Sequence, residues 1–187
     1  MYAGHFAAGL ALKAREPRAP TWALLVGVAL LDLLFPIFVL TGIEHVTPTP
    51  GVAPGVSLDF IDWSHSLVMS LVWAVLFGLL WARRGRAVAL VSGLAVFSHF
   101  LLDLPMHPGD LALWPHSQAH VGFGLWRSLP VGWWFVEGAV VLAGCAYYVA
   151  RARRGGTAQG YGGRPLGAAA VVLVIHVLNS PWILARG

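Results

Sequence analysis

The sequence predicts an all-α fold, a polytopic transmembrane helical bundle of five spans with a short N-terminal half-helix. The composition supports this class, because 58% of the 187 residues are hydrophobic and 11% are charged. Soluble domains carry about 25% charged residues. The chain also contains five apolar runs close to the roughly 20 residues that cross a membrane core of about 30 Å. With no stretch that reads as a long linker, we expect residues 1–187 to form a single integral membrane domain.

The five predicted spans are Thr21–Gly42, Ser64–Ala82, Ala87–Leu104, Gly132–Ala150 and Leu166–Leu184. The preceding segment, Tyr2–Ala14, has helical character but is too short to cross. Its positive charges follow the apolar stretch instead of preceding it, which argues against a signal peptide. Two placements stay open for this half-helix: at the membrane interface, or tucked into the bundle.

Basic residues concentrate in three connections between the predicted helices. Alternating topology places these connections on one side of the membrane, and they hold ten of the twelve Lys and Arg residues: Lys13, Arg15, Arg18, Arg83, Arg84, Arg86, Arg151, Arg153, Arg154 and Arg164. The positive-inside rule makes that side cytoplasmic, so we expect an inner (plasma) membrane protein. The net charge of +4 is then a topology signal, and we expect no nucleic-acid partner. The sequence does not define an oligomeric state.

Ionisable side chains inside the apolar runs share a depth. Such groups are costly in a membrane and are functional candidates by default. A helical rise of about 1.5 Å per residue places six of them in the middle-to-outer half of the membrane: Asp32, His65, His99, Asp103, Glu137 and His176. The sequence therefore predicts one polar cavity that opens toward the outer face.

His99 and Asp103 form the most specific pair. Four residues apart on a helix, their side chains lie on the same face. Pro105 follows and stops the helix, which leaves His107 in the turn beyond. Imidazole and carboxylate groups are ligands for zinc, or for manganese or iron where carboxylates dominate. The alternative is a hydrogen-bonded pair with a structural role only.

The remaining polar candidates each allow two interpretations. Asp62 precedes the second span and is either a site residue or a helix N-cap. Ser66, beside His65, is expected to face the outer end of the bundle. Glu137 and His176 are either site residues or hydrogen-bonded contacts between helices.

Three motifs resemble the LexA-regulated, inner-membrane metal-dependent hydrolase family. The stretch "SHFLLDLPMHPGDLALWP" has that family's spacing at Ser98, His99, Asp103, Gly109, Leu113, Trp114 and Pro115. The stretch "WSHSL", residues 63–67, is similar to its Thr-His-Ser-Leu helix opening, and "AGHFAAGLALKA" resembles its Gly-His motif at Gly4 and His5. Asp32 stands where the family has a Pro-Asp-x-Asp-His cluster, of which one aspartate is present here.

The resemblance implies a membrane-bound hydrolase that uses a divalent metal, with zinc preferred and manganese or iron as alternatives. The implied metal ligands are His5, Asp32, His65, His99 and Asp103. Membrane lipid is then the environment and a possible substrate, through a lipid-linked ester or phosphoester at the outer leaflet.

In this hypothesis Glu137 or Asp62 is the general base, and Ser66 donates a hydrogen bond to an imidazole. Two other functions stay open at this point. One is a non-enzymatic carrier or proton-linked transporter, and the other is a structural membrane subunit.

Overall fold

A computed structural model of the chain describes residues 1–49, 56–155 and 164–184. This part of the chain is mostly helical, which confirms the all-α class. The helices are α1 (Tyr2–Arg15), α2 (Thr21–Leu40), α3 (Asp62–His65), α4 (Leu67–Leu80), α5 (Arg86–Asp103), α6 (Leu125–Ser128), α7 (Gly132–Gly155), α8 (Pro165–Leu178) and α9 (Pro181–Leu184). A 3₁₀ turn at Ala82–Arg84 joins α4 to α5.

Two small hairpins, which the sequence analysis did not predict, interrupt the helical fold. Strand β1 (His45–Pro48) pairs antiparallel with β2 (Val56–Phe60), and β3 (Leu111–Ala112) pairs with β4 (His120–Val121). The tip of the first hairpin, residues 50–55, lies outside the described residues. So do residues 156–163 of the basic connection between α7 and α8, and the C-terminal basic residue Arg186.

The prediction of five spans is right for three helices and wrong for two. Helices α2, α5 and α7 are long and apolar enough to cross a membrane. Helices α4 and α8 have 14 residues each, or about 21 Å of length against a core of about 30 Å. The second span is divided because Ser66 is extended, with ψ at 155°. The fifth ends before Pro181, which disfavours helical backbone at the residue preceding it.

Helix α1 lies inside the bundle and not at its edge. It packs against α2, α5, α7 and α8. Its buried residues are mostly small: Ala3, Gly4, Ala7, Gly9 and Ala14 are among them. Small side chains allow helix backbones to approach closely. At Gly144 of α7 the approach is so close that an added β-carbon would lie 2.7 Å from the Ala7 carbonyl oxygen.

Glycines also determine the contact between α4 and α5. A β-carbon at Gly78 would lie 2.9 Å from the Ala89 carbonyl oxygen, and one at Gly93 would lie 2.8 Å from that of Ala74. Real β-carbons do not approach backbone this closely. The two helices therefore pack backbone against backbone, which holds α5 and its polar face at a fixed distance from its neighbours.

The helix ends that flank the three basic connections include five that lie at one end of the bundle. The ring of Trp22, at the start of α2, meets that of Trp81, just after α4, at a centroid distance of 5.4 Å. Ala14 near the end of α1 and Ala152 near the end of α7 belong to one apolar cluster. Helix α1 ends where α2 begins. The same end of the bundle therefore contains the starts of α2 and α5 and the ends of α1, α4 and α7.

A matched pair of glycine substitutions tests this packing. We expect Gly144→Ala to lower the stability by about 1–3 kcal/mol, because the new methyl group meets the α1 backbone. Gly167→Ala, also in a helix, meets only the Arg164 β-carbon at 3.6 Å. It should leave stability unchanged or raise it by up to about 1 kcal/mol through helix propensity. Thermal unfolding of both variants in detergent is the measurement, and equal midpoints would contradict this account of the α1–α7 contact.

Candidate metal centre

The structure brings together the five side chains that the sequence analysis selected as metal ligands. His5 comes from α1, Asp32 from α2, His65 from α3, and His99 and Asp103 from α5. They form two overlapping groups, one with His5, His99 and Asp103 and the other with Asp32, His65 and His99. Within each group the potential ligand atoms lie within 4.8 Å of one another. His99 belongs to both groups and is therefore the centre of the cluster.

The distances between ligand atoms suit neighbouring ligands of one ion. His99 Nε2 lies 3.1 Å from Asp103 Oδ2 and 3.5 Å from Asp32 Oδ1. His65 Nε2 lies 3.6 Å from the same Asp32 oxygen, and His5 Nε2 lies 3.2 Å from Asp103 Oδ1. Two ligand atoms on a tetrahedral zinc ion are about 3.3 Å apart. The observed separations bracket that value.

Most of this cluster is removed from solvent. His5, His65, His99 and Asp103 are all buried, and the Asp32 side chain is 44% exposed. A buried carboxylate is costly unless other groups compensate its charge. Asp103 Oδ1 lies 3.2 Å from His5 Nε2 and 3.0 Å from the Met1 nitrogen, so polar groups surround this carboxylate. The imidazole rings of His5 and His99 stack in parallel with centroids 3.8 Å apart, so α1 and α5 are in contact through the cluster itself.

The orientation of His99 is fixed by a hydrogen bond to α2. Its Nδ1 lies 2.7 Å from the Val28 carbonyl oxygen. A carbonyl oxygen only accepts, so Nδ1 carries the hydrogen, and in the neutral ring Nε2 keeps a lone pair. Nε2 is buried without a hydrogen-bond partner among the described residues. Nε2 lies near one oxygen of Asp103 and one of Asp32, which belong to different ligand groups, and a metal ion held in either group would satisfy it.

A chain of three polar groups orients His65 in the same way. His65 Nδ1 lies 2.7 Å from Ser64 Oγ, which lies 2.8 Å from both carboxylate oxygens of Glu44. The Ser64 hydroxyl donates to Glu44 and can then accept from His65 Nδ1–H, which directs the Nε2 lone pair toward Asp32. Such outer contacts fix the tautomer of metal-binding histidines. Burial raises the pKa of the Glu44 carboxyl, and hydrogen bonds from Ser64 oppose that rise.

Two of the predicted site residues have other contacts. Ser66 Oγ accepts from the Met69 backbone N–H at 3.4 Å and caps α4, and the serine whose hydroxyl contacts the His65 ring is Ser64. Asp62 does not cap α4. Its Oδ2 accepts from the His116 backbone N–H at 2.7 Å, which ties α3 to the segment that follows α5.

Glu137 makes contacts between helices and also lies beside the candidate site, which are the two interpretations that the sequence left open. Its Oε1 accepts a hydrogen bond from the Gly4 backbone N–H at 3.1 Å, and its Oε2 lies 3.5 Å from His176 Nδ1 on α8. It is thus a contact between helices. It also lines the cavity beside the cluster, and Oε2 is buried without a hydrogen-bond partner among the described residues.

The cavity beside the cluster has a volume of about 320 Å³. Its polar wall includes His5, Asp32, His65, Asp103, His107, Glu137 and Asn179. The other walls are largely apolar and aromatic: Phe35, Leu58, Ile61, Trp126 and Trp133 are among them. Of the described residues that line it, none is Lys or Arg. Pockets with this mixture suit apolar ligands that are oriented by a few polar groups.

Glu44, Ser64 and the contact of His107 with the cluster were not predicted from the sequence. Glu44 is distant in sequence from Ser64, and nothing in the local pattern signals their contact. His107 continues the spacing of four residues that links His99 to Asp103, and this spacing was a usable signal. Its Nε2 lies 3.7 Å from Asp103 Oδ2 and its Nδ1 lies 2.8 Å from Asp110 Oδ1.

Comparison of the chain with protein-family models, with curated proteins and with solved structures found no match. The functional assignment therefore depends on the residues of the site and on the chemistry that they allow.

The two neighbouring serines give a test of the outer contacts. Ser64→Ala removes the partner of His65 Nδ1, and we expect zinc affinity to fall by about 10- to 100-fold. Ser66→Ala removes the α4 cap, which should cost about 1 kcal/mol of stability and leave zinc affinity unchanged. Affinity is measured by competition with a chromophoric chelator. Equal zinc affinities for the two variants would contradict the role given to Ser64.

Proposed function

We propose that this protein is a membrane-embedded, metal-dependent hydrolase that acts on a lipid-linked ester or phosphoester at the outer leaflet. The observation that carries the proposal is the buried His99 Nε2, which lies 3.1 Å from Asp103 Oδ2 and 3.5 Å from Asp32 Oδ1 and has no hydrogen-bond partner among the described residues. Together with His5 and His65, the two overlapping groups offer three imidazoles and two carboxylates as candidate ligands. This mixture suits zinc, with manganese or iron as alternatives. The motif resemblance to the LexA-regulated metal-dependent hydrolases supports the same class.

We place the protein in the inner (plasma) membrane with its basic connections in the cytoplasm. Helices α2, α5 and α7 cross the membrane, and the shorter α4 and α8 complete a five-helix bundle around α1. The clustering of basic connections at one end supports this orientation through the positive-inside rule. The candidate centre then lies toward the outer half, near α3, which precedes α4, and the C-terminal end of α5.

The chemistry divides between the ion and the protein. A divalent ion held here would act as a Lewis acid on the scissile group and would favour ionisation of water. The protein must accept the proton, and we assign this task to Glu137. Its Oε1 is fixed by the Gly4 N–H, and its Oε2, which has no hydrogen-bond partner among the described residues, is the available acceptor. Asp62 is less suited, because it is not among the described residues that line the cavity.

The cavity supports a lipid as the substrate class. Its apolar and aromatic walls suit acyl or isoprenoid chains, while its polar wall meets the reacting group. Trp126 and Trp133 line it, and tryptophan is enriched where membrane meets water. A substrate that enters from the outer leaflet would thus keep its chain in an apolar environment while its ester reaches the ligand cluster.

Metal analysis of the purified protein tests the centre directly. We expect stoichiometric zinc in the wild type and its loss in His99→Ala, because His99 belongs to both ligand groups. His120→Ala is the control, since His120 is an exposed histidine whose ring contacts the Gln118 carbonyl oxygen. Wild-type protein without metal, or His99→Ala with full occupancy, would contradict the metal centre.

Hydrolysis of lipid esters and phosphoesters presented in mixed micelles tests the reaction. We expect turnover that a chelator abolishes and zinc restores. Glu137→Gln should keep its metal and lose about 10²-fold in rate, because the amide cannot accept the proton. Full activity of Glu137→Gln would refute the assignment of the base. A fully loaded protein that cleaves none of the lipids in either substrate class would refute the hydrolase proposal.

A further inference from the structure

We propose that His107 is a further ligand of the candidate metal centre, held in position by Asp110, and that it connects the centre to the cavity entrance. The inference depends on the proposed function, because it adds to the same metal site. Neither the motif resemblance nor the spacing argument assigned a role to His107.

The backbone places His107 one turn beyond Asp103. Helix α5 ends at Asp103, but the N–H groups of Met106 and His107 both bond to the Asp103 carbonyl oxygen, at 2.8 and 2.9 Å. The helical course thus extends past Pro105. His99, Asp103 and His107 then follow one another at intervals of four residues on one face. The interval of four residues that aligns His99 with Asp103 therefore also directs the His107 side chain toward the ligand cluster.

The imidazole of His107 has the arrangement of a metal ligand. Asp110 Oδ1 lies 2.8 Å from Nδ1, and an ionised carboxylate only accepts, so Nδ1 carries the hydrogen. Nε2 then presents a lone pair, and it lies 3.7 Å from Asp103 Oδ2. A carboxylate on the far nitrogen is the usual outer contact of a metal-binding histidine. Two ligand atoms on one zinc ion are about 3.3 Å apart. His107 Nε2 and Asp103 Oδ2 would therefore need to approach each other by only a few tenths of an ångström.

Burial distinguishes His107 from a surface histidine. The residue is only 4% exposed, and it lines the cavity together with His5 and His65. The Trp126 ring packs on its imidazole with centroids 4.6 Å apart. Most of this residue is therefore covered by protein, and its Nε2 is directed toward the candidate centre. A simple ion pair with Asp110 would not require the second nitrogen to approach a buried carboxylate.

The turn that carries His107 is fastened to the cavity entrance. Four backbone hydrogen bonds join residues 123–126 to residues 104–107, with lengths of 2.8 to 3.2 Å. Gly122 packs so closely on this turn that a β-carbon there would collide with the His107 carbonyl oxygen and lie 2.5 Å from the Gly109 nitrogen. These hydrogen bonds thus hold Trp126, which lines the cavity, in a fixed position relative to His107. A metal bound through His107 would hold this part of the entrance in place.

Zinc affinity and the absorption spectrum of the cobalt-substituted full-length protein test the proposal. We expect His107→Ala to weaken zinc binding by about 10- to 100-fold and to change the cobalt d–d bands, because a nitrogen ligand is lost. Asp110→Asn, which keeps the shape of the side chain, should weaken zinc binding by about 10-fold. His120→Ala, in the neighbouring hairpin, should leave both measurements unchanged.

The outcomes separate this inference from the proposed function. If His107→Ala binds zinc and cobalt as the wild type does, His107 is not a ligand, and the centre of five residues remains. If the wild type binds neither ion, both proposals fail. Should His107→Ala not fold in thermal unfolding measurements, Asp110→Asn decides the matter, and wild-type zinc affinity and cobalt bands in that variant would overturn the proposal.

Discussion

The hydrogen bond from His99 Nδ1 to the Val28 carbonyl oxygen determines what the rest of the site can do. This contact joins α5 to α2, fixes the rotation of the ring and leaves the lone pair on Nε2. Asp32 follows Val28 by one turn and therefore lies on the same face of α2. One helix thus supplies the carbonyl that orients the imidazole and the carboxylate that faces its other nitrogen. Loss of this contact would let the ring turn away from both carboxylates.

The packing of α1 is the second constraint, because it brings His5 to the site from a helix too short to cross a membrane. Alanine and glycine on α1, met by Gly144 on α7, allow the backbones to approach closely. This approach puts the His5 ring in parallel contact with that of His99. It also puts the Gly4 N–H against Glu137. The same small residues that make the bundle compact therefore position both a candidate ligand and the proposed base.

Irregular backbone borders the site, and two of the N–H groups near the break at Ser66 bond to protein. The extended residue Ser66 separates α3 from α4, which lets His65 approach Asp32 independently of the direction of α4. The freed Val68 N–H bonds to the Leu113 carbonyl oxygen, and the Met69 N–H bonds to Ser66 Oγ. Within a membrane, interrupted helices are tolerated only where such partners exist or where the backbone lines a cavity. The interruptions that shorten the predicted spans are thus the features that form the site.

The sequence by itself determined the helical class and four of the five ligand candidates, because ionisable groups in apolar runs are costly and the His99–Asp103 interval is a helical one. The fifth candidate, His5, was implied only by the motif resemblance. Local pattern could not determine the length of α4, since the break at Ser66 depends on contacts with Leu113 and Glu44, which are remote in sequence. The same reason explains why Ser66 was preferred to Ser64, and why both hairpins were missed. Only the tertiary structure decided where each lone pair points, because a hydrogen bond from another helix, such as that to Val28, sets the rotation of an imidazole.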